Sequence, residues 1–314
     1  MTQDTGDDPR ISVAVATFRR PDCLRRILPT LSRQLTDSRF SGEILVVDND
    51  PAGGASDYVH SLPSARFRYA HEPEPGISAA RNRALSLTLD SDLIIFIDDD
   101  EVPAPGWLDL LVGCWLIYRC AGISGPAVAQ FEKPLDPWVS ASGVFDRWTF
   151  RTGTIVQGAA SNNLLLELRQ LRELGLEFDS RFGISGGSDT MLTRSITRRG
   201  GVIRWCDEAE VLDLIPAERT TRTWAVRRTF RTSNTWSRVH IAMAETATER
   251  LRQRGSLAAR GVLRLSKGLG TLGIGAATRA IGRQAAGACA VASGAGVLLG
   301  AFGYTWHEYR RPDR

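Results

Sequence analysis

Short apolar runs alternate with stretches of helical periodicity through the first two-thirds of this 314-residue chain. Residues 11–16 (ISVAVA), 43–47 (EILVV), 66–70 (RFRYA) and 94–97 (IIFI) have the length and apolar content of strands. Between them the spacing predicts helices over roughly 23–35, 55–62 and 78–88, the first capped by Asp22. Strands alternating with helices imply an α/β fold with a mostly parallel sheet covered on both faces. Beyond residue 121 the pattern changes. Residues 122–126 read as a further strand, whereas 130–160 are rich in Trp, Phe, Gly and Pro with no clean period, as in segments that build a binding surface on a scaffold. Residues 163–174 read as helix. A glycine loop over 182–189 (FGISGGSD) leads into a helix over 189–199 closed by Gly200 and Gly201, and 202–205 read as strand.

From about residue 222 the expectation is mostly helix. Val262, Leu265, Leu269 and Leu272 recur at helical spacing with Arg260, Arg264 and Lys267 between them, the pattern of a basic amphipathic helix on an anionic membrane surface. Residues 284–306 contain no Asp, Glu, Lys or Arg, but they are Ala- and Gly-rich, so the length suits a membrane span while the hydrophobicity is weak. Surface association is preferred here to a span. A soluble helical hairpin packed on the body stands as an equal alternative. Gly296 and Gly300 match GxxxG, but glycine is so frequent in this stretch that chance explains the match.

Charge sharpens this division. The chain carries 39 Lys+Arg and 35 Asp+Glu, a net of +4. Residues 1–215 hold 22 basic and 30 acidic side chains (−8), residues 216–283 hold 14 and 3 (+11), and the remainder adds +1. A basic segment on an acidic body points to an anionic partner such as lipid headgroups or phosphates. Nucleic acid is disfavoured, because aromatic interleaving is confined to 224–236 and no known binding module is present. Five scattered cysteines with no CxxC pair fit reduced thiols, and the polar, acidic start MTQDTGDDPR does not resemble a signal peptide. The expected location is therefore cytoplasmic, peripheral or weakly integral at the inner face of the cell membrane.

The candidate chemistry lies at strand ends. Residues 17–20, 48–50 and 98–101 (DDDE) each follow a strand, and in a doubly wound sheet such ends share one ligand-binding edge. Four acids at the mouth of a buried strand are tolerated best beside a divalent cation; the strand in front outweighs the blander reading of a solvated acidic turn. Neither GxGxxG nor GxxxxGK[ST] is present, so no dinucleotide fingerprint or P-loop is available. Arg81 and Arg83 follow an open helix start at Gly76, where an arginine can reach a base or diphosphate or simply lie on a solvated face. Trp205, Trp224 and Trp236 and the arginines Arg222, Arg227, Arg228 and Arg231 read equally as sugar platforms and phosphate ligands or as core and solvated face. His71, His240 and His307 have no metal spacing and read as structural.

The ordered set VAVATFRRP, EILVVDND, EPGISAARNRAL, FIDDDEVPAPGWL and RFGISGGSD, with a later RW-containing, Arg-rich stretch, resembles family 2 glycosyltransferases of GT-A fold. The likeness is greatest to bacterial exopolysaccharide glycosyltransferases of the ExoM type and spans residues 10–240. It implies a nucleoside diphosphate sugar donor, inversion at the anomeric carbon, Mn²⁺ or Mg²⁺, and a lipid-linked saccharide or polysaccharide acceptor. By the same resemblance Thr17 and Arg19 line the nucleotide pocket, Asp48 holds the base with Asp50 beside it, and Arg81 assists. Asp98 faces ribose and metal, Asp100 ligates the metal, and Asp99 points away or assists. Asp189 resembles the catalytic base, with Gly186, Gly187 and Trp205 near the sugar or acceptor. A carboxylate there can take the acceptor's proton, and it can equally cap a helix. The chain departs from its relatives at Ser188, where a Glu is common.

The expected organisation is a flexible stretch over 1–10, a catalytic domain over 11–221 and a basic, helical, membrane-associating region over 222–314. Two further readings stand beside the transferase. A nucleotidyltransferase shares the sheet and its acids but needs a glycine- and lysine-rich first loop, which TFRRP is not. A catalytically inactive sugar-nucleotide or polysaccharide-binding subunit would bind donor without turnover.

Overall fold

A computed structural model describes residues 8–307. The expected flexible stretch lies mostly outside them; within it Pro9 is buried and the Arg10 N–H donates to Asp92 Oδ2 at 2.8 Å, so the packed body begins ahead of the first strand. The chain then runs β1 (Ile11–Thr17), α1 (Pro21–Asp37), β2 (Gly42–Asp48), α2 (Ser56–His60), β3 (Phe67–His71), α3 (Ile77–Leu87), β4 (Leu93–Asp98), β5 (Glu101–Pro103), α4 (Trp107–Tyr118) and β6 (Gly122–Ser124). After these come β7 (Ala127–Phe131), α5 (Pro137–Ala141), β8 (Ile155–Val156), β9 (Asn163–Glu167), α6 (Leu168–Glu173), α7 (Ser188–Arg198), β10 (Ile203–Trp205) and β11 (Val211–Ile215). Three long helices end the described chain: α8 (Arg222–Ala242), α9 (Ala247–Ala277) and α10 (Ile281–Ala301).

The main sheet has eight strands in the order β3-β2-β1-β4-β9-β6-β10-β8. All but β9 and β8 run in one direction. Successive residues of each central strand point to opposite faces, which is why these strands are apolar throughout. Val13, Val15, Ile44, Val46, Ile95 and Ile97 join the core under α1 and α4, whereas Ala14, Leu45, Val47, Ile94 and Phe96 join the core under α3, α6 and α7. Connections leave β1 in one direction and β4 in the other, so the switch point lies between these two strands. A small sheet, β5-β11-β7, grips the chain just after the acidic cluster.

The helix expected over 163–174 begins as a strand. Asn163–Glu167 is β9, antiparallel to both β4 and β6, and every residue in it is buried. A short, continuously apolar run has no period that separates a buried strand from a buried helix; the two open strand edges beside it decided the outcome.

The three C-terminal helices pack on the body and on one another. Trp138 and Val139 of α5 meet Ala225 of α8 and Ala285 and Cys289 of α10 in one apolar cluster. Helices α9 and α10 run antiparallel with their backbones in contact at glycines seven residues apart. A methyl group on Gly268 would stand 2.6 Å from the Val291 nitrogen, and one on Gly294 would stand 2.6 Å from the Leu265 nitrogen. The other face of α10 meets α8, where Gly300 lies against Asn234 and Ser237, and Gly296 against Phe230. The GxxxG is therefore a packing surface and not a chance match. The apolar stripe expected on α9 is split: Leu265 packs toward α10, while Val262 and Leu269 remain more than half exposed. Helix α10 is the one described helix long and apolar enough to cross a membrane, but half of it is buried inside the protein.

Gly268→Leu or Gly294→Leu should separate the hairpin and lower stability by about 1–3 kcal/mol or more. A methyl group on Gly273 would meet nothing within 4 Å, so Gly273→Ala should raise stability by about 0.5–1 kcal/mol. Urea unfolding of the three variants measures both signs; equal effects would mean that glycine is not what lets these helices touch.

Candidate active site

The carboxyl ends of β1, β2 and β4 lie in register, with Thr17 opposite Asp48 and Ala16 opposite Asp98. This puts the three expected clusters along one edge. Asp98 ends β4, and its Oδ1 accepts from Arg81 Nη2 at 3.2 Å. Arg81 projects from α3, is 8% exposed and lies over the Phe178 ring. Arg83, two residues on, faces solvent. Asp99 is 4% exposed and accepts from Thr17 Oγ1 at 2.7 Å and from Arg20 Nη1 at 2.8 Å. Asp100 accepts from the same Arg20 nitrogen at 2.9 Å and from Arg219 Nη1 at 3.2 Å. Arg219 reaches this place because β11 leaves the small sheet through a single 3₁₀ turn, Ala217–Arg219.

The electrostatics follow from crowding. Burial in the recess pushes the Asp98 pKa up to about 6; Arg81 opposes the rise, and Asp100, Asp99 and Asp189 add to it. The Asp98 side chain still exposes 42% of its surface to the groove, so it is crowded and not sealed in. Burial also raises Asp99, against the pull of Arg20 and the Thr17 hydroxyl. Burial works against the charge on Arg20, but Asp99 and Asp100 more than offset it and raise its pKa. Glu101, the last acid of DDDE, is separate. It is 2% exposed in the small sheet, accepts from Asn162 Nδ2, and burial raises its pKa well above the ordinary carboxylate range.

The second cluster mainly builds the wall. Asp48 is 1% exposed, and its two oxygens accept from the Asp50 and Ala55 N–H groups at 2.9 and 2.8 Å, with Tyr69 OH at 3.2 Å. It shapes the loop that presents Asp50. Asp50 in turn accepts from Arg19 Nε at 3.1 Å. Arg19 is held at φ +55°, a region that costs a non-glycine residue energy and recurs at ligand clamps. Asn49, which the sequence did not single out, donates to the carbonyls of Glu72 and Glu74 and accepts from the Gly76 N–H at 3.1 Å, so it fixes the start of α3 and with it Arg81.

Asp189 sits in the first turn of α7, near enough to Asp98 for its charge to raise that group's pKa. One of its oxygens, Oδ1, accepts from the Thr190 N–H at 2.6 Å and from the Thr190 hydroxyl. Oδ2 has no hydrogen-bond partner among the described residues. Ser188 is 1% exposed and points into the body. Gly186 and Gly187 both have positive φ, 77° and 98°, and a methyl group on Gly187 would collide with Thr235 of α8. Close packing against α8 therefore requires Gly187, independently of any sugar. Trp205 is a correction: at 6% exposure, with Nε1 donating to Asp207 and an edge-on contact to Phe150, it offers no open stacking face. The exposed tryptophan is Trp148, 72% open, which packs on the same Phe150 ring.

No group of three His, Cys, Asp or Glu side chains is arranged to hold a metal among the described residues. Asp98 and Asp100 nonetheless fit Mg²⁺ or Mn²⁺, since such ions take one or two carboxylates and complete their shell with substrate phosphates. Arg20 was placed in a cluster but given no role of its own, and Arg219 was not singled out. Arg20 stands in the visible TFRRP loop, whereas Arg219 carried no local signal.

Two solved structures share this architecture over 80% of the chain. The crystal structure of S. aureus TarS matches with TM-score 0.51 and 13% identity over 42% of its own length. That of GalNAc-T7 with UDP, GalNAc and Mn²⁺ matches with TM-score 0.55 and 15% identity over 54% of its length. The chain thus spans about half of these longer proteins, and at such identity the likeness shows the GT-A-like fold alone. The sequence model of glycosyl transferase family 2 matches residues 12–163. The chain is 31% identical over 260 residues to the succinoglycan biosynthesis protein ExoM of Rhizobium meliloti (strain 1021), covering 80% of each. It is also 25% identical over 108 residues to the putative glycosyltransferase EpsH of Bacillus subtilis (strain 168), covering 34% of this chain and 30% of that one. The chain belongs to glycosyl transferase family 2 and is a glycosyltransferase, as its motifs implied.

The charge pairing can be measured directly. Arg20→Ala leaves Asp99 buried without its cation and should cost about 1–3 kcal/mol of stability. Asp99→Asn in that background should recover part of the loss. Simple additivity in a double-mutant cycle would show that the two groups are not coupled.

Proposed function

We propose that the protein is a metal-dependent, inverting glycosyltransferase of exopolysaccharide assembly that moves a sugar from a nucleoside diphosphate to a lipid-linked or polysaccharide acceptor. The observation that carries this reading is Asp189, which sits in the first turn of α7 with Oδ1 held by Thr190 and Oδ2 unengaged among the described residues, its charge felt at Asp98. The catalytic unit is residues 11–221, and residues 222–314 hold it at the inner face of the membrane. On α9 the exposed Leu251, Val262 and Leu269 occupy one flank and Arg260, Arg264 and Lys267 the other, an arrangement suited to an anionic lipid surface.

Asp189 Oδ2 takes the proton of the acceptor hydroxyl as that oxygen bonds to the anomeric carbon, while the carbon's bond to the diphosphate oxygen breaks on the opposite face. The Thr190 N–H holds Oδ1 and so fixes the carboxylate's orientation. Ser188 does not take this role away: its side chain points inward and Asp189 is the residue at the groove. Asp98 and Asp100 would hold Mg²⁺ or Mn²⁺, which when bound supplies charge stabilisation for the departing diphosphate. Arg20 and Arg219, paired with Asp100 here, lie where they can turn to the diphosphate. Arg81 orients Asp98. Asp50 and Arg19 meet the nucleoside, on a loop that Asp48 shapes.

Release of nucleoside diphosphate from a panel of sugar donors, with and without Mn²⁺ or Mg²⁺, tests this reading. One donor should be hydrolysed slowly in a metal-dependent way by the wild type and not by Asp100→Ala. Donor binding with no turnover by the wild type under any condition, acceptor included, would favour the inactive binding subunit instead. Asp189→Asn should lower kcat by about 10²–10⁴-fold with the donor KM little changed. Glu101→Gln should keep activity, because that side chain is buried in the small sheet and the amide oxygen can still accept from Asn162; loss of activity would place it in the machinery.

A further inference from the structure

A cavity of about 310 Å³ opens where α8, the start of α9 and the end of α10 meet the loop before Asp189. Four arginines line it: Arg181, Arg238, Arg250 and Arg254. Only Arg181 has a carboxylate among the described residues, Asp179, at 2.6 Å. Arg238 lies over the Phe182 ring at 5.1 Å, and its Nη1 is buried with no hydrogen-bond partner among the described residues. Burial lowers its pKa, the expected direction for a cation that lacks a counter-charge. Arginines this close repel one another, and guanidinium forks match phosphate oxygens bidentately, so the cluster is stabilised by an anion of that kind.

The surroundings select the kind of anion. The cavity is also lined by Phe182 and Ile241. A phosphate held by the arginines would leave an attached hydrocarbon against these apolar side chains. Phe182 connects the cavity to catalysis, since its carbonyl accepts from the Gly186 N–H at 2.9 Å, two residues before α7 begins with Ser188 and Asp189.

We propose that this cavity binds the phosphate or diphosphate end of a lipid, the one that carries the acceptor. The second half of this statement rests on the acceptor's being lipid-linked.

The test is isothermal titration calorimetry of the full chain with farnesyl diphosphate and with inorganic pyrophosphate, at physiological salt. Farnesyl diphosphate should bind at least tenfold more tightly than pyrophosphate. Arg254→Gln, an exposed position on α9 that folding does not depend on, should weaken it by about tenfold or more, as loss of a charged hydrogen bond implies. Arg250→Gln should act in the same direction. Equal affinity for the two probes would assign the cavity to free phosphate and overturn the proposal. So would the absence of binding by either probe, or binding unchanged in both variants, which would place the diphosphate in the donor groove. Donor hydrolysis measured on the same samples separates the two readings. Its absence from the wild type counts against the transferase mechanism alone, while its persistence with unchanged lipid affinity in the variants counts against the cavity alone.

Discussion

Three arginines from three distant parts of the chain neutralise three consecutive aspartates, and the rest of the site depends on that pairing. Arg81 comes from α3, Arg20 from the loop after β1, and Arg219 from the turn after β11. Carboxylates packed at the end of a buried strand repel one another, and bringing cations to them requires the surrounding elements to be in place. Asn49 holds the entry to α3, and the small sheet holds both the exit from Asp100 and the approach to Arg219. The switch point between β1 and β4 leaves room for these groups to face a substrate.

The helical end of the chain is joined to this site and does not merely follow it. Gly187 abuts Thr235 of α8, and α8 in turn packs on α10 through Gly296 and Gly300. Arg194 of α7 reaches His240 of α8, and Arg198 pairs with Glu245 at 2.9 Å. The loop that carries Asp189 is therefore braced by the same helices that present the basic and apolar flanks of α9. A force or ligand acting on those helices has a short packed path to the proposed base.

Legibility followed the range of the interactions. Strands β1, β2 and β4 could be read because each face of a central strand is buried and the apolar run is continuous. The DDD cluster could be read because its acids are adjacent. By contrast, 163–167 looked helical until the open edges of β4 and β6 claimed it, and Trp205 read equally as platform or core until its burial against Phe150 was seen. Asp48 could be picked out as an acid at a strand end, but not as one whose oxygens are both taken up by backbone N–H groups. The glycine and alanine content after residue 260 did not reveal that glycines seven apart on two helices would meet.

By itself the sequence determined the alternation of strands and helices up to the acidic cluster, the acids at the strand ends, the candidate base after a glycine pair and the basic character of the last third. These are properties of neighbouring residues, set by local sterics, burial period and charge. The tertiary structure decided which arginine meets which aspartate, which of the four acids leaves the site for the small sheet, and where four arginines converge around a cavity. Arg219 and Asp100 are 119 positions apart, and Arg181 and Arg254 are 73 apart. No local pattern encodes such meetings, because they exist only once the sheet and the helical hairpin have closed the distances between them.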